Sequence, residues 1–120
     1  MKNDTVAGIE SRLDPGRCPV ESTLRVIGGR WKPLILHHLR DRPRRFNELR
    51  RLMPKVTQRM LTQHLRELEA DGIIVRHVRA QVPPHVEYSF TARGRSLMPI
   101  LDTMAGWGNA NQGEVSSAKV

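Results

Sequence analysis

The chain has a single cysteine, few aromatic residues and no long hydrophobic segment. One cysteine, Cys18, cannot form an internal disulfide. Aromatic residues make up only 4% of the chain, so the core must be built from aliphatic side chains and methionine. No segment approaches the ~20 apolar residues of a membrane-spanning helix, and residues 1–12 lack the hydrophobic segment of a signal peptide. We therefore expect a cytoplasmic protein with no membrane partner.

Acidic residues are scarce where basic residues are most abundant. Between Arg25 and Arg66 the chain has twelve Lys/Arg but only Asp41 and Glu48, a local charge of +10 against +8 for the whole chain. This concentration indicates a polyanionic partner, because Lys and Arg gain affinity by releasing counterions from phosphates. Anionic lipid is a weaker candidate, since the basic residues do not lie opposite one wide apolar helix face. RNA is also disfavoured, because few aromatic side chains are available for base stacking.

A length of 120 residues is typical of one domain. We expect a flexible arm over residues 1–16, a folded domain over 17–110 and a flexible tail over 111–120. A first helix is predicted to begin at Cys18-Pro19-Val20-Glu21 and to end at Gly28-Gly29. A second helix follows from about Arg30 to Leu39. Its side chains expected to face the core are Trp31, Leu34, Ile35, Leu36 and Leu39.

The next segment has the pattern of a helix-turn-helix. A short helix is predicted from Asn47 to Met53, with Phe46, Leu49 and Leu52 facing inward. Thr57 is a good N-cap for a helix reaching about Ala70, whose buried stripe is Leu61, Leu65 and Leu68. The opposite face is polar and nearly free of acids, and Arg and Gln can make bidentate contacts with base edges. The residues expected to contact DNA from this helix are Thr57, Gln58, Arg59, Thr62, Gln63 and Arg66. A merely solvated face is the alternative, and which of these residues touch bases rather than phosphates stays open.

Two strands are predicted after the helices, over Ile73–Arg79 and Val86–Phe90, joined by a stiff tip containing Pro83-Pro84. Helices followed by a hairpin indicate a winged helix-turn-helix, which is mainly α with a small β-hairpin (α+β). The hairpin, or wing, and the basic residues around the turn are expected to reach the DNA backbone or minor groove. The residues expected to make these contacts are Arg44, Arg45, Lys55, Arg76, Arg79 and His85. For the basic residues around the turn, a merely solubilising charge is the alternative.

A last helix is predicted from its cap at Thr91 to about Asn109, with a kink at Pro99. Its apolar stripe has no obvious place in an already complete small domain, so a partner chain is the economical way to bury it, and a symmetric dimer is the commonest form. The first and last helices would form the interface. The residues expected there are Leu24, Ile27, Leu97, Ile100, Leu101, Met104 and Trp107.

Taken together, these segments resemble HxlR-type winged-helix transcriptional regulators, within the wider MarR-like group. The resemblance covers about residues 17–109. It is carried by Cys18-Pro19-Val20-Glu21, Ile27-Gly28-Gly29-Arg30-Trp31, Leu34-Ile35-Leu36, Arg44-Arg45-Phe46-Asn47-Glu48-Leu49, Arg59-Met60-Leu61-Thr62, Leu65-Arg66-Glu67-Leu68-Glu69, Asp71-Gly72-Ile73-Ile74, Val82-Pro83-Pro84, Val86-Glu87-Tyr88 and Thr91 with Gly94. The resemblance implies a homodimer that binds double-stranded DNA at an inverted-repeat operator, most often as a repressor. The residues alone leave open a basic architectural or RNA-associated protein without sequence preference.

Cys18 is a candidate redox-sensing residue. As the N-cap of a helix it is expected to point its sulfur at the free amides of the first turn, which favours the thiolate. Arg17 adds positive charge, whereas Glu21 opposes it. The resemblance implies such a role, because some members of the family sense oxidants or electrophiles through a cysteine at this position. A small, half-buried cap residue is the alternative. A sensor with one cysteine would need an intersubunit disulfide, an adduct with a small thiol, or direct alkylation.

Enzymatic, metal and cofactor sites are not expected. The five histidines lack metal-ligand spacing with Cys18 or a carboxylate. There is no glycine-rich phosphate loop, no nucleophile elbow and no pair of carboxylates on a plausible cleft. The expected ligands are therefore operator DNA, a second copy of the chain, and an inducer that is either a small molecule or an electrophile.

Overall fold

The computed structural model describes residues 18–118, with side chains up to residue 113. The predicted arm, residues 1–16, lies outside the described residues. Within them the chain forms six helices and three short strands. In chain order these are α1 (Pro19–Ile27), α2 (Lys32–Leu39), β1 (Arg44–Arg45), α3 (Phe46–Leu52), α4 (Gln58–Ala70), β2 (Ile74–Arg79), β3 (His85–Phe90), α5 (Ala92–Arg95) and α6 (Met98–Ala118). The expected fold, mainly helical with a small hairpin, is confirmed.

Helix α1 begins and ends where the sequence predicts. Pro19 occupies its first turn, where a missing N–H costs nothing, and Glu21 lies near the positive end of the helix dipole. At the other end the Gly28 N–H donates to the Leu24 carbonyl at 2.6 Å. A Cβ at Gly28 would collide with that same carbonyl, and Gly29 has a φ of +90°, so both glycines are needed to turn the chain into α2.

Helices α2 and α3 pack on the core, but two leucines predicted to face inward do not. Ile35, Leu36 and Leu39 of α2 are buried, whereas Leu34 is exposed on the far side. In α3, Leu49 is completely buried and Leu52 is 42% exposed. Both predictions were wrong because an apolar residue was assumed to face the core, although a short helix buries only one narrow stripe.

Helix α4 confirms its predicted cap and its buried stripe. The Thr57 hydroxyl accepts a hydrogen bond from the Met60 N–H at 3.1 Å, which satisfies one of the free amides of the first turn. Leu61, Leu65 and Leu68 are all buried, so one side of α4 is fixed against the core and the opposite side faces outward.

The three strands form one antiparallel sheet in the order β1-β3-β2. The hairpin pairs Ile74 with Phe90 at its base and Arg79 with His85 near its tip. Strand β1 was not predicted, because two consecutive arginines lack the alternation of a strand. It pairs Arg44 with Tyr88 and Arg45 with Glu87, which ties the entry of the helix-turn-helix to the wing.

The predicted C-terminal helix is two helices. Thr91 caps only the short α5, where its hydroxyl accepts from the Gly94 N–H at 3.0 Å and donates to the Gly72 carbonyl at 2.6 Å. A turn at Ser96-Leu97 follows, and α6 then extends to Ala118, past the predicted end near Asn109. Pro99 lies in the first turn of α6, where proline is tolerated, so it does not kink a continuous helix as predicted.

The core is aliphatic, as the scarcity of aromatic residues predicts. Its side chains come from the four helices α1, α2, α3 and α4, from the start of β2 and the turn before it, and from the inner face of β3. The buried members are Val26, Ile27, Ile35, Leu36, Leu39, Leu49, Met53, Val56, Leu61, Leu65, Leu68, Ile73, Ile74, Tyr88 and Phe90. Among the described residues, no helix has both the length and the apolar character needed to cross a bilayer.

Candidate nucleic-acid interface

The outward side of α4 forms an open groove of about 700 Å³. Five of the six residues predicted to contact DNA from this helix lie on its wall, and only the cap residue Thr57 does not. The groove is lined by Gln58, Arg59, Thr62, Gln63, Arg66, Glu67 and Ala70. Because the opposite side of α4 is buried in the core, this face is presented to solvent at a fixed angle.

A second groove, of about 550 Å³, lies between α4 and the wing. It shares Thr62 and Arg66 with the first groove and adds Arg76 from β2. Phe46, Val86 and Tyr88 form its apolar floor, and Glu69 is the acid on its wall. The fold thus brings Arg66, predicted to contact DNA from α4, and Arg76, predicted to contact it from the wing, to one surface.

Three of the residues predicted to contact the DNA backbone are already engaged within the protein. Arg44 donates from Nε to the His38 carbonyl at 2.8 Å, and its side chain is mostly buried. Arg79 donates from Nε and a terminal nitrogen to one Glu87 oxygen, at 3.2 and 3.0 Å. His85 lies 3.3 Å from the other Glu87 oxygen and its side chain is mostly buried, so its ring is already engaged within the wing, near the tip of the hairpin.

Other basic side chains predicted to contact DNA are exposed and have no partner among the described residues. These residues are Arg45, Lys55, Arg59, Arg66 and Arg76. All lie on α4, on the turn before it, or on the strands that flank it. A cation that makes no internal ion pair keeps its full charge for a phosphate, so this subset forms the strongest candidate surface for a polyanion.

Glu48 organises the basic residues at the start of α3. One of its oxygens accepts from the Arg45 backbone N–H at 2.9 Å, and the other accepts from Arg42 at 2.8 Å. The Arg45 backbone bond, followed by the Arg42 side chain, lowers the pKa of Glu48. Glu48 is therefore ionised near neutral pH, caps α3 and neutralises part of the charge around it.

A further network, not predicted from the sequence, lies behind the α4 groove. Lys32 at the start of α2 is only 7% exposed, and its Nζ lies 2.7 Å from Oε1 of Glu67. The other Glu67 oxygen accepts from Nε2 of Gln63 at 3.2 Å. The hydrogen bond from Lys32, followed by that from Gln63, lowers the pKa of Glu67. The available signal was a lysine inside the apolar segment Trp31-Lys32-Pro33-Leu34, where a charge needs a partner.

Cys18 is exposed at the N-cap of α1. Its sulfur makes no capping hydrogen bond, so the prediction that it points at the free amides of the first turn was wrong. Only its backbone carbonyl takes part in the helix, accepting from the Ser22 N–H at 3.0 Å. The thiol is therefore accessible to solvent and reagents.

The residues predicted to form a dimer interface divide into three groups. Leu24, Ile100, Met104 and Trp107 are exposed, and the Trp107 side chain is 63% exposed. Leu97 and Leu101 are partly buried against the core of their own chain. Ile27 is 1% exposed and belongs to that core, so its prediction as an interface residue was wrong.

Apolar exposure extends beyond the predicted set. Val20 of α1 is largely exposed, and Leu34 of α2 lines a cleft of about 540 Å³ together with Leu101 and Met104 of α6. Arg40, just after α2, forms an ion pair with Asp102 of α6 at the same cleft. The outer sides of α1, α2 and α6 thus present apolar side chains that no other described part of the chain covers. Among the described residues, no group of three or more His, Cys, Asp or Glu side chains is arranged to hold a metal ion.

Comparison with known proteins places this chain among helix-turn-helix transcriptional regulators. The HTH-type transcriptional regulator YdeP of Bacillus subtilis (strain 168) is 60% identical over 108 residues, which cover 90% of this chain and 84% of YdeP. The redox regulator HypR in its reduced form has a TM-score of 0.79 and 56% identity, over 83% of this chain and 99% of that one. Its oxidized form has a TM-score of 0.75 and 60% identity, over 78% and 97% of the two chains.

The family model described as the HxlR-like helix-turn-helix matches residues 26–116. This range contains α4, the wing and all of the residues that line the two grooves. The resemblance drawn from the sequence motifs is confirmed, and the fold is that of winged-helix regulators. The chain belongs to the HxlR-like helix-turn-helix family of transcriptional regulators.

Proposed function

We propose that this protein binds double-stranded DNA sequence-specifically as a homodimer and represses genes by occluding their promoters. Helix α4 would lie in the major groove, and the wing would lie beside the phosphates. The observation that carries this proposal is the difference between the cations: Arg59, Arg66 and Arg76, around α4 and the wing, have no ion-pair partner within residues 18–118. Many of the other basic residues, such as Lys32 and Arg40, form internal ion pairs.

The test of sequence-specific binding is fluorescence anisotropy at one fixed, near-physiological salt concentration. Purified protein is titrated onto the duplex flanking its own gene and onto a shuffled duplex of equal length and composition. A preference of ~10³-fold or more for the flanking duplex supports a specific regulator. If the two affinities are equal, selection from random duplexes follows. A selection that returns no consensus would refute sequence-specific binding and leave a basic architectural protein.

The exposed apolar residues of α1 and α6 support the homodimer. A solvent-exposed Trp107 beside Met104 and Ile100 is a costly surface for a monomer, and a two-fold pairing of α6 helices would bury it. Two α4 helices related by that axis would read an inverted repeat, with half-sites about one helical turn (~34 Å) apart. This arrangement also gives a place to the apolar side chains of α6, the longest of the described helices, that are exposed in the single chain.

Sedimentation equilibrium tests the dimer with a matched pair of substitutions. Trp107→Ser is expected to weaken the dimer by at least ~tenfold, because it removes a large aromatic surface. Val82→Ser is the control, since Val82 is 97% exposed at the wing tip, away from α1 and α6. A parent protein that is monomeric at micromolar concentration, or equal weakening by both substitutions, would contradict the proposed interface.

We also propose that Cys18 senses oxidants or electrophiles. The thiol is exposed at the start of α1, beside the apolar surface expected to bind a partner chain. In one route the Cys18 thiolate attacks a small-molecule disulfide, forms a mixed disulfide and releases the second thiolate. The resulting bulk at the start of α1 would disturb the dimer and release DNA. The similarity to HypR, solved in reduced and oxidized forms, supports this proposal.

The sensing role is tested by treating parent and Cys18→Ser proteins with diamide or a small-molecule disulfide while DNA binding is followed. We expect the parent to release its duplex and Cys18→Ser to remain bound. Equal release by both proteins would show that the thiol is not the switch. Mass spectrometry of the treated parent distinguishes an intersubunit disulfide from a small-thiol adduct.

A further inference from the structure

An acidic side chain lies in the groove that is proposed to receive DNA. Glu67 is on the wall of the α4 groove, beside Gln63 and Arg66. A carboxylate in this position repels the phosphates of DNA, so on charge alone the groove would bind DNA more tightly without Glu67. Its position therefore calls for a role other than binding the backbone.

Glu67 is held from inside the protein. The Lys32 ammonium that contacts its Oε1 at 2.7 Å is buried, and a buried charge without a partner is costly. Lys32 is in turn fixed at the first position of α2, next to Pro33. The carboxylate of Glu67 thus has a defined place at the rear of the groove, and the pair as a whole carries no net charge.

The second oxygen of Glu67 determines which way the amide of Gln63 points. A carboxylate only accepts hydrogen bonds, so the amide must direct its NH₂ group toward Oε2, as it does at 3.2 Å. One N–H of Gln63 is used in this bond. The carbonyl oxygen and the second N–H remain for the groove, one as an acceptor and one as a donor. Without Glu67 the amide could flip and exchange these two positions.

The amide of Gln63 thus presents an acceptor and a donor side by side in a fixed order, and this order matches the major-groove edge of one base. In the major groove adenine presents an N6–H donor next to its N7 acceptor, whereas guanine presents two acceptors and cytosine an N4–H donor. We propose that Glu67 is a positioning residue that fixes the amide of Gln63 to read one adenine in each half-site. This inference rests on the proposed sequence-specific DNA binding and names the residue pair that sets part of the specificity.

The experiment is a selection from duplexes randomised in one half-site, followed by affinity measurements on single-base variants. Four proteins are compared: the parent, Gln63→Ala, Lys32→Met and the double variant Lys32→Met/Glu67→Met. The double variant removes both charges together, so it leaves no buried lysine without a partner and does not change the net charge. Thermal unfolding monitored by circular dichroism confirms that each variant folds.

The parent is expected to prefer adenine at one position by about tenfold to a hundredfold, as a bidentate contact does. Gln63→Ala should reduce that preference to within about twofold of none, with the other positions unchanged. The comparison between Lys32→Met and the double variant isolates the carboxylate, because both lack the lysine. We expect the adenine preference to be about tenfold stronger in Lys32→Met than in the double variant.

Binding to a shuffled duplex separates positioning from a merely structural role. The double variant should bind it within about twofold of the parent, since the net charge is the same. Uniform weakening on every sequence, or an adenine preference that survives in the double variant, would overturn the inference. An unchanged base preference in Gln63→Ala would overturn it as well. If the parent itself selects no consensus, it is instead the proposed sequence-specific binding that fails.

Discussion

Arg44 and Arg45 are neighbours in sequence, yet we expect replacement of one to affect the stability of the fold and replacement of the other to affect DNA binding. The Arg44 guanidinium donates to the His38 carbonyl and lies near Glu48, in a mostly buried position. The Arg45 side chain is exposed and has no partner among the described residues, although its backbone N–H bonds to Glu48. We expect Arg45→Ala to weaken DNA binding and Arg44→Ala to destabilise the fold.

The magnitudes follow from what each side chain touches. A phosphate contact contributes ~0.9 to the slope of log affinity against log salt concentration, so losing Arg45 from both protomers of a dimer should reduce that slope by about 1.8. Between ~50 and ~200 mM salt this corresponds to a ~12-fold smaller loss of affinity than in the parent. Replacing Arg44 leaves a carbonyl without its donor and should cost about 1–2 kcal/mol of unfolding free energy.

Both quantities are measured on the same protein preparations. Anisotropy titrations at several salt concentrations give the slope, and urea unfolding gives the stability. Arg45→Ala should unfold like the parent, and Arg44→Ala should keep the parent's salt slope to within about 0.3. The reasoning is refuted if Arg44→Ala reduces the slope as much as Arg45→Ala while remaining as stable as the parent.

Three further predictions concern stability and are checked by urea or thermal unfolding. Gly94→Ala should destabilise by about 2 kcal/mol or more, because a Cβ there would collide with the Ile73 carbonyl and the Phe90 ring. Gly113→Ala, in an open part of α6, should be neutral or stabilise by up to ~1 kcal/mol, and equal losses at both sites would contradict this account. Leu49→Ala should cost about 2–5 kcal/mol and Leu52→Ala less than ~1 kcal/mol, since only Leu49 is fully buried, so similar costs would show that Leu52 is covered. Glu48 has a pKa lowered below its usual 4.5, so its ionised form contributes stability that is complete above that pH and is lost as pH falls through the lower, folded-state pKa. The stability difference between parent and Glu48→Gln should therefore be largest near neutral pH and shrink below pH 4.5, and a difference independent of pH would show that the charge of Glu48 does not matter.

The helices of the DNA-binding region were predictable because their signals are local. Thr57 has the chemistry of an N-cap, and Leu61, Leu65 and Leu68 recur at the spacing of one helix face. The same spacing correctly placed Arg59 and Gln63 on the outer side of α4. Such features depend on residues a few positions apart, and the fold does not alter them.

Other features depend on contacts between residues that are distant in sequence, and these were missed. Strand β1 exists because Arg44 pairs with Tyr88, and the Lys32–Glu67 ion pair joins α2 to α4. From the sequence, Arg44, Arg45, Arg76 and Arg79 were also given the same expected role at the DNA backbone. Only the structure separates Arg44 and Arg79, which have internal partners, from the cations that are left for a ligand.

Helix α2 is connected to a different helix at each of its ends by an ion pair. Lys32 at its start pairs with Glu67 of α4, and Arg40 just after it pairs with Asp102 of α6. Eight helical residues span only ~12 Å, so a shift of α6 on dimerisation would reach α4 through one short helix and the two ion pairs at its ends. In the proposed dimer this makes subunit association and operator binding two linked equilibria. Such linkage is reciprocal. If dimerisation raises the affinity for operator DNA by some factor, operator DNA raises the affinity between the subunits by the same factor.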